Sequence, residues 1–201
     1  MSYWEHRKPV RRERAVDVGS VARVAVALLD EGGLRALTLR AVANRLGVAP
    51  ASLYSRVASV DDLFDLALDA ALGADAEVQG LIAGADLDAL MLGCYRHLVR
   101  HRWACQVIAM RAPRGPHYLR LSERMCQLLA DAGAQDPLSA SYALSNFVIG
   151  SATTAHTVSS ERTAPVDPAV APTYARLHQR HDVDAEAIVI AGLAALRSHR
   201  S

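Results

Sequence analysis

From Val18 onward the apolar residues recur with a helical period, and glycine or proline interrupts the recurrence at short intervals. Val21, Val24, Ala25, Leu28 and Leu29 fall at i, i+3, i+4, i+7 and i+8, and Gly32-Gly33 then provides a C′ stop. Thr38 is placed to cap a second short helix with Leu39, Val42, Ala43 and Leu46 on its buried face, and Gly47 ends it. Pro50 opens a third helix, where its missing N–H costs nothing. Ser59-Val60-Asp61-Asp62 reads as a capping box with Asp in place of the usual Glu, opening a fourth helix that runs to about Leu72.

The same period continues over residues 87–101, 103–110, 119–132, 138–160 and 184–198, while Pro165, Pro168 and Pro172 mark a loop. No segment alternates in the manner of a strand bounded by hairpin turns. The expectation is an all-α protein of about nine or ten helices, with an N-terminal three-helix unit and a C-terminal helical domain. Apolar residues make up 51%, enough for a sizeable core. Charges break every apolar run before membrane-spanning length, so no membrane partner is expected. The first eight residues lack the apolar stretch of a secretory signal, and Cys94, Cys105 and Cys126 are too scattered for a disulfide scaffold. A reducing cytoplasm is the expected location.

The charge is unevenly distributed. Residues 1–60 carry ten Lys and Arg against five Asp and Glu, a net +5, on a chain whose total is +1. That excess suggests a polyanion partner for this third of the chain, with a solvated basic tail as the alternative. Residues 1–16 are polar, basic and without helical period, and read as a flexible arm bearing Arg11, Arg12 and Arg14.

Residues 38–57 carry the functional signal. Two short helices around a turn at Gly47-Val48 have the spacing of a helix-turn-helix, whose second helix enters the major groove. Small Ala49, Ala51 and Ser52 let that helix approach the bases. Tyr54 and Ser55 offer hydroxyls, and Arg56 can pair with phosphate or guanine. Thr38, Arg40 and Pro50 complete the expected DNA-facing set.

With these motifs the chain resembles the tetracycline-repressor (TetR) family of bacterial transcriptional regulators. The resemblance rests on Ala36-Leu37-Thr38-Leu39-Arg40-Ala41-Val42-Ala43, on Leu46-Gly47-Val48-Ala49-Pro50-Ala51-Ser52-Leu53-Tyr54, and on Val57-Ala58-Ser59-Val60-Asp61-Asp62-Leu63. A looser match follows in Arg111-Ala112-Pro113-Arg114-Gly115-Pro116, Leu119-Arg120-Leu121, Glu123, Gly133 and Gly150. The chain departs from the family pattern in having Ala49 where a capping Ser is frequent, Arg56 where His or Tyr is usual, and Val60 where a phosphate-contacting Lys is common.

The resemblance implies an arm over residues 1–16, a DNA-binding domain over 17–62, a connecting helix over 63–74, and a ligand-binding and dimerisation domain over 75–201. It implies a homodimer whose two recognition helices bind successive major grooves of a pseudo-palindromic operator. It also implies a repressor released by a small molecule acting through helix four. A histidine in helix four helps the tetracycline repressor proper to bind its drug, and residues 63–68 contain none, so magnesium-tetracycline is not expected.

Met91, Tyr95, Trp103, Met110, Tyr118, Met125, Asn146 and His156 lie on the helices that would enclose the family's cavity. Methionines and aromatics with a few polar groups suit an adaptable pocket of ~300–1,000 Å³ for a largely apolar ligand, and plain core packing is the alternative for each residue. Phe147, Gly150, Thr154, Ile188 and Gly192 lie on the two C-terminal helices that pack a twin subunit in the family. Cys94, His97 and His101 share a spacing that could hold zinc, but the sequence supplies no fourth ligand. No catalytic triad or phosphate loop is present, so neither cofactor nor enzymatic activity is expected. The competing reading is a helical small-molecule-binding or metal-binding protein without operator-specific DNA binding.

Overall fold

The computed structural model describes residues 2–6, 16–180 and 184–198. Among the described residues the regular structure is helical, and no strand is present. Twelve α-helices follow in order: α1 Val18–Gly32, α2 Leu39–Leu46, α3 Pro50–Leu53, α4 Val60–Ala74, α5 Ala76–Gly84, α6 Leu87–Arg100, α7 Arg102–Met110, α8 Pro116–Asp131, α9 Pro137–Thr154, α10 Val158–Thr163, α11 Pro172–His178 and α12 Ala185–Ser198. The all-α expectation holds. The helices beyond that expectation are α5, α10 and α11, none longer than nine residues, and α10 is set off from α9 by a 3-10 turn over Ala155–Thr157 within the segment read as one helix over 138–160.

Side chains fix most helix starts. Asp17 accepts from the N–H groups of Gly19 and Ser20 at the start of α1, Thr38 Oγ1 accepts from Ala41 at the start of α2, and Ser59 Oγ accepts from Asp62 at the start of α4. Gly47 at the end of α2 has φ 66°, a left-handed conformation that favours glycine.

Helix α4 organises the molecule. It packs chiefly against α1 and also meets α5, α7 and α8. As a result nearly every residue from Asp62 to Leu72 is buried, with no solvent face. Three aspartates, Asp62, Asp65 and Asp69, are buried in this otherwise apolar helix. A buried carboxylate is tolerated only with partners, and each has them. Asp62 accepts from the Ala58 N–H and meets His6. Asp65 bonds Arg111, and Asp69 accepts the N–H groups of His117 and Tyr118 at the start of α8. The boundary expected between residues 62 and 63 therefore falls inside one continuous helix.

The start of the chain departs from the expected flexible arm. Tyr3–Glu5 form a 3-10 turn lying on α4. Ser2 Oγ and the Tyr3 N–H both donate to Asp65 Oδ2, at 3.0 and 2.8 Å, and the Tyr3 side chain is buried. The arm reading rested on the absence of helical period. It could not register one buried aromatic and two hydrogen bonds to a residue sixty positions away. Arg11, Arg12 and Arg14 lie outside the described residues.

Candidate functional site

Helices α2 and α3 meet around Gly47-Val48. Val42, Ala43, Leu53 and Val57 turn inward and are buried, which fixes the opposite side of the pair outward. Arg40, Ala49, Pro50, Ala51, Ser52, Tyr54 and Ser55 are all exposed there. Tyr54, the C-cap of α3, is 55% exposed, large for an aromatic with no partner helix over it. Thr38 is exposed but its hydroxyl oxygen serves as the α2 cap. Ser55 Oγ donates to the Ser52 carbonyl. Arg56 is half-buried, with its Nε buried and without a hydrogen-bond partner among the described residues. Ala49 makes no side-chain cap at the start of α3. Arg45 is held by a two-pronged pair to Glu31 of α1, which holds the Glu31 carboxyl below its usual range. Val60 brings no cation to the start of α4, and Asp61 there pairs with Arg111 at 2.7 Å.

A second feature lies in the C-terminal helices. A cavity of about 60 Å³ sits among α6, α7, α8 and α9, walled by Met91, Leu98, Ile108, Tyr118, Met125 and Val148 among others. Its volume is well below the range expected for a ligand pocket, and Met91, Met125 and Ile108 are among its walls. Three of the eight residues expected in the wall, Met91, Tyr118 and Met125, are there.

The other five are elsewhere. Tyr95 is buried on the side of α6 toward Asp184 and Glu186; burial, then those charges, raises its phenol. Trp103 lines a cleft of about 260 Å³ between α1 and α7, and its indole donates to Asp30 Oδ1 at 2.6 Å. Met110, Asn146 and His156 are exposed. Tyr95, Trp103, Met110 and Asn146 lie on helices that border the cavity but on other faces of them, which helical spacing alone does not give, and His156 lies beyond α9 in a 3-10 turn over Ala155–Thr157.

Sequence reasoning missed His97 as a wall residue. It is 1% exposed, and its Nδ1 lies 2.8 Å from Asp75 Oδ2. The clue was present in its spacing from Cys94, which also borders the cavity. Asp75 links several elements. It ends α4, accepts the Val78 N–H at the start of α5, and pairs with Arg100 at 2.5 Å. Burial opposes its charge, but His97, Arg100 and the Val78 N–H outweigh that and hold its carboxyl below the usual range. Burial, the largest influence, lowers the His97 imidazole, so it stays neutral and its Nδ1–H donates to Asp75.

Burial pushes the Cys94 thiol up to about 12, the opposite of what a thiolate ligand needs. His101 bonds Asp30 of α1 at 2.8 Å. Among the described residues no three His, Cys, Asp or Glu side chains converge as a metal site.

Of the residues expected at a subunit interface, Phe147 and Gly192 meet each other inside the protomer. A methyl group at Gly192 would overlap the Phe147 ring. Gly150, Thr154 and Ile188 are exposed, and a Cβ at Gly150 would meet open space. Exposed Leu138, Tyr142 and Ile190 lie on the same two helices, α9 and α12.

Residues 22–67 match the family described as bacterial regulatory proteins, tetR family, and residues 84–180 match the tetracyclin repressor-like C-terminal domain. An HTH-type transcriptional regulator of Saccharopolyspora erythraea is 38% identical over 151 residues, covering 72% of this chain and 63% of the relative. The HTH-type transcriptional repressor DrrR1 of Streptomyces coeruleorubidus is 32% identical over 155 residues, covering 73% of this chain and 56% of the relative. The matched region thus spans less than two thirds of either curated relative. Among solved structures, the TetR family protein ActR of Streptomyces coelicolor in complex with actinorhodin superimposes with a TM-score of 0.70 at 25% identity, covering 90% of this chain and 97% of that one. Among the described residues no helix is long and apolar enough to cross a membrane.

Proposed function

The chain belongs to the tetR family of bacterial regulatory proteins, and from that premise we propose that it is a dimeric repressor that binds operator DNA and is released by a small, largely apolar molecule. The observation that carries the DNA half is the outward row on α2 and α3. Arg40, Ala51, Ser52 and Tyr54 are exposed on a helix pair whose inner face is fully packed. Small residues at the start of α3 allow close approach to base edges, and Tyr54 supplies a hydroxyl at its end.

The release half is supported by the placement of the cavity. Leu72, near the end of α4, is one of its walls, and the other end of α4 follows α3 by a short turn. A ligand that widens the cavity acts on the helix that carries the DNA-reading pair. Such a ligand shifts the equilibrium only as far as its affinities for the two states differ. The apolar walls favour an uncharged guest, and the names of the relatives agree with a repressor and with a ligand complex in a structural neighbour. Assembly uses the exposed faces of α9 and α12. The protein acts in the cytoplasm by binding and carries out no catalysis.

An electrophoretic shift with DNA from upstream of the chain's own gene tests the reading. The expectation is a discrete complex that dissociates on adding an uncharged apolar compound from a screening set. Failure to shift that DNA or any selected duplex, with binding of apolar compounds intact, favours the helical small-molecule-binding alternative.

A further inference from the structure

One wall residue of the C-terminal cavity carries a fully buried polar atom that has no hydrogen-bond partner among the described residues. That residue is His97, itself fully buried. Its Nδ1 faces Asp75 at 2.8 Å, and its Nε2 is buried without a hydrogen-bond partner among the described residues. A buried polar atom left in this state costs free energy that a suitable partner recovers. Because Asp75 is a carboxylate already paired with Arg100, the proton sits on Nδ1 and Nε2 presents a lone pair. His101 is the titratable neighbour on the same helix turn, with ring centroids 5.0 Å apart, and its own Nδ1 is held by Asp30.

We infer that His97 Nε2 is the recognition point of the cavity, accepting a hydrogen bond from a hydroxyl on an otherwise apolar ligand, and that Asp75 passes this contact to the end of α4. The inference rests on the proposed ligand-binding function and adds the chemistry of the guest. An apolar body fills the space held by Met91, Met125 and Ile108, whose side chains can be repacked. The hydroxyl donates to Nε2, which strengthens the Nδ1–H bond to Asp75 along the same chain of hydrogen bonds. Asp75 is the residue where α4 ends and α5 begins, so the change arrives at the helix leading to α3. A ligand carrying only acceptors, such as an ether or ketone, leaves Nε2 unsatisfied and is discriminated against.

Phenol and toluene test this, since they match in size and differ in one hydroxyl. Their affinities are measured by NMR titration of the full 201-residue chain and of His97→Leu. The ratio of phenol to toluene affinity is expected to fall about fivefold in His97→Leu, the size of one net hydrogen bond. In wild type labelled with 15N-histidine, phenol should move the His97 15Nε2 resonance upfield, toward the hydrogen-bonded value, while Nδ1 stays protonated. Toluene should leave it in place. The wild-type measurement stands even where His97→Leu folds poorly.

Binding of both probes with an unchanged ratio, or an unmoved Nε2 resonance at saturating phenol, overturns the inference and leaves the cavity as a ligand site. Binding of neither probe removes the cavity from the release mechanism, and the inference with it.

Discussion

The indole nitrogen of Trp103 donates to Asp30 Oδ1 at 2.6 Å, and His101 Nδ1 meets the same oxygen at 2.8 Å. One carboxylate on α1 thus ties the N-terminal helical unit to the junction of α6 and α7. Trp103 therefore reports on the contact between the two halves of the molecule rather than on the cavity. Asp30→Ala leaves a buried indole N–H without its acceptor and should cost about 1–2 kcal/mol in urea denaturation. In a Trp4→Phe background, Trp103 emission should shift in Asp30→Ala and should respond to operator binding in wild type. Emission unchanged in both cases would mean that this contact does not follow the state of the protein.

Asp69 of α4 supplies a cap that α8 lacks. Gly115, the N-cap residue of α8, has no side chain to offer, and a Cβ there would overlap the Asp69 carboxylate. Asp69→Ala should cost about 1–2 kcal/mol, in the range of a lost helix cap. Asp69→Asn keeps an acceptor oxygen and should lose less. Gly115→Ala should resemble Asp69→Ala, because it displaces the same carboxylate. Thermal unfolding of the three variants gives the order, and a fully stable Gly115→Ala contradicts the cap.

The pH dependence of stability should carry the mark of Asp65. Burial disfavours its charge, but Arg111, the Tyr3 N–H and the Ser2 hydroxyl outweigh that and hold its carboxyl below the ordinary 3.8. The folded state therefore holds this proton more weakly than the unfolded chain. The stabilisation is complete above 3.8 and is lost as the pH falls through that value toward the lowered one. Asp65→Asn should be less stable than wild type at pH 7, and the difference should shrink as the pH falls below 3.8. Asp69 has the opposite sign. Burial raises its carboxyl, so its ionisation weakens the fold as the pH rises through the raised value. Denaturant midpoints across this range decide the matter, and an Asp65→Asn deficit that does not shrink at all as the pH falls below 3.8 would count against the Arg111 pair.

Two glycines separate packing within a protomer from packing between protomers. Gly192→Ala drives a methyl into the Phe147 ring and should cost about 1–3 kcal/mol of protomer stability. Gly150 faces open space, so Gly150→Leu should leave the protomer as stable or slightly more so, Gly being a poor helix former. If α9 packs on a second subunit, Gly150→Leu should nonetheless raise the dimer dissociation constant about tenfold or more in analytical ultracentrifugation. An unchanged constant would take Gly150 out of the interface.

What could be read from the sequence divides along physical lines. Local chemistry was legible: the Thr38 and Ser59 caps, the stop at Gly47, the inward faces of Val42 and Ala43, and the outward row through Tyr54. Each depends on residues within one or two turns of one another. The Asp65–Arg111 pair, the docking of Tyr3 on α4 and the Asp75–His97 pair were not legible, because each joins positions twenty or more residues apart. The cavity was half legible. Apolar composition named the helices, but only packing decides that Met91 turns into the cavity while Met110 faces solvent.

The central claim is that α3 reads duplex sequence, and selection from a randomised duplex library tests it most directly. The selected duplex and a scrambled control of equal length are then titrated by fluorescence anisotropy at fixed salt. The account predicts an enriched inverted repeat that binds at least about 10³-fold tighter than the control, a difference that Tyr54→Ala largely removes while weak, salt-dependent binding remains. Equal affinities for both duplexes, falling together as salt rises, would contradict it.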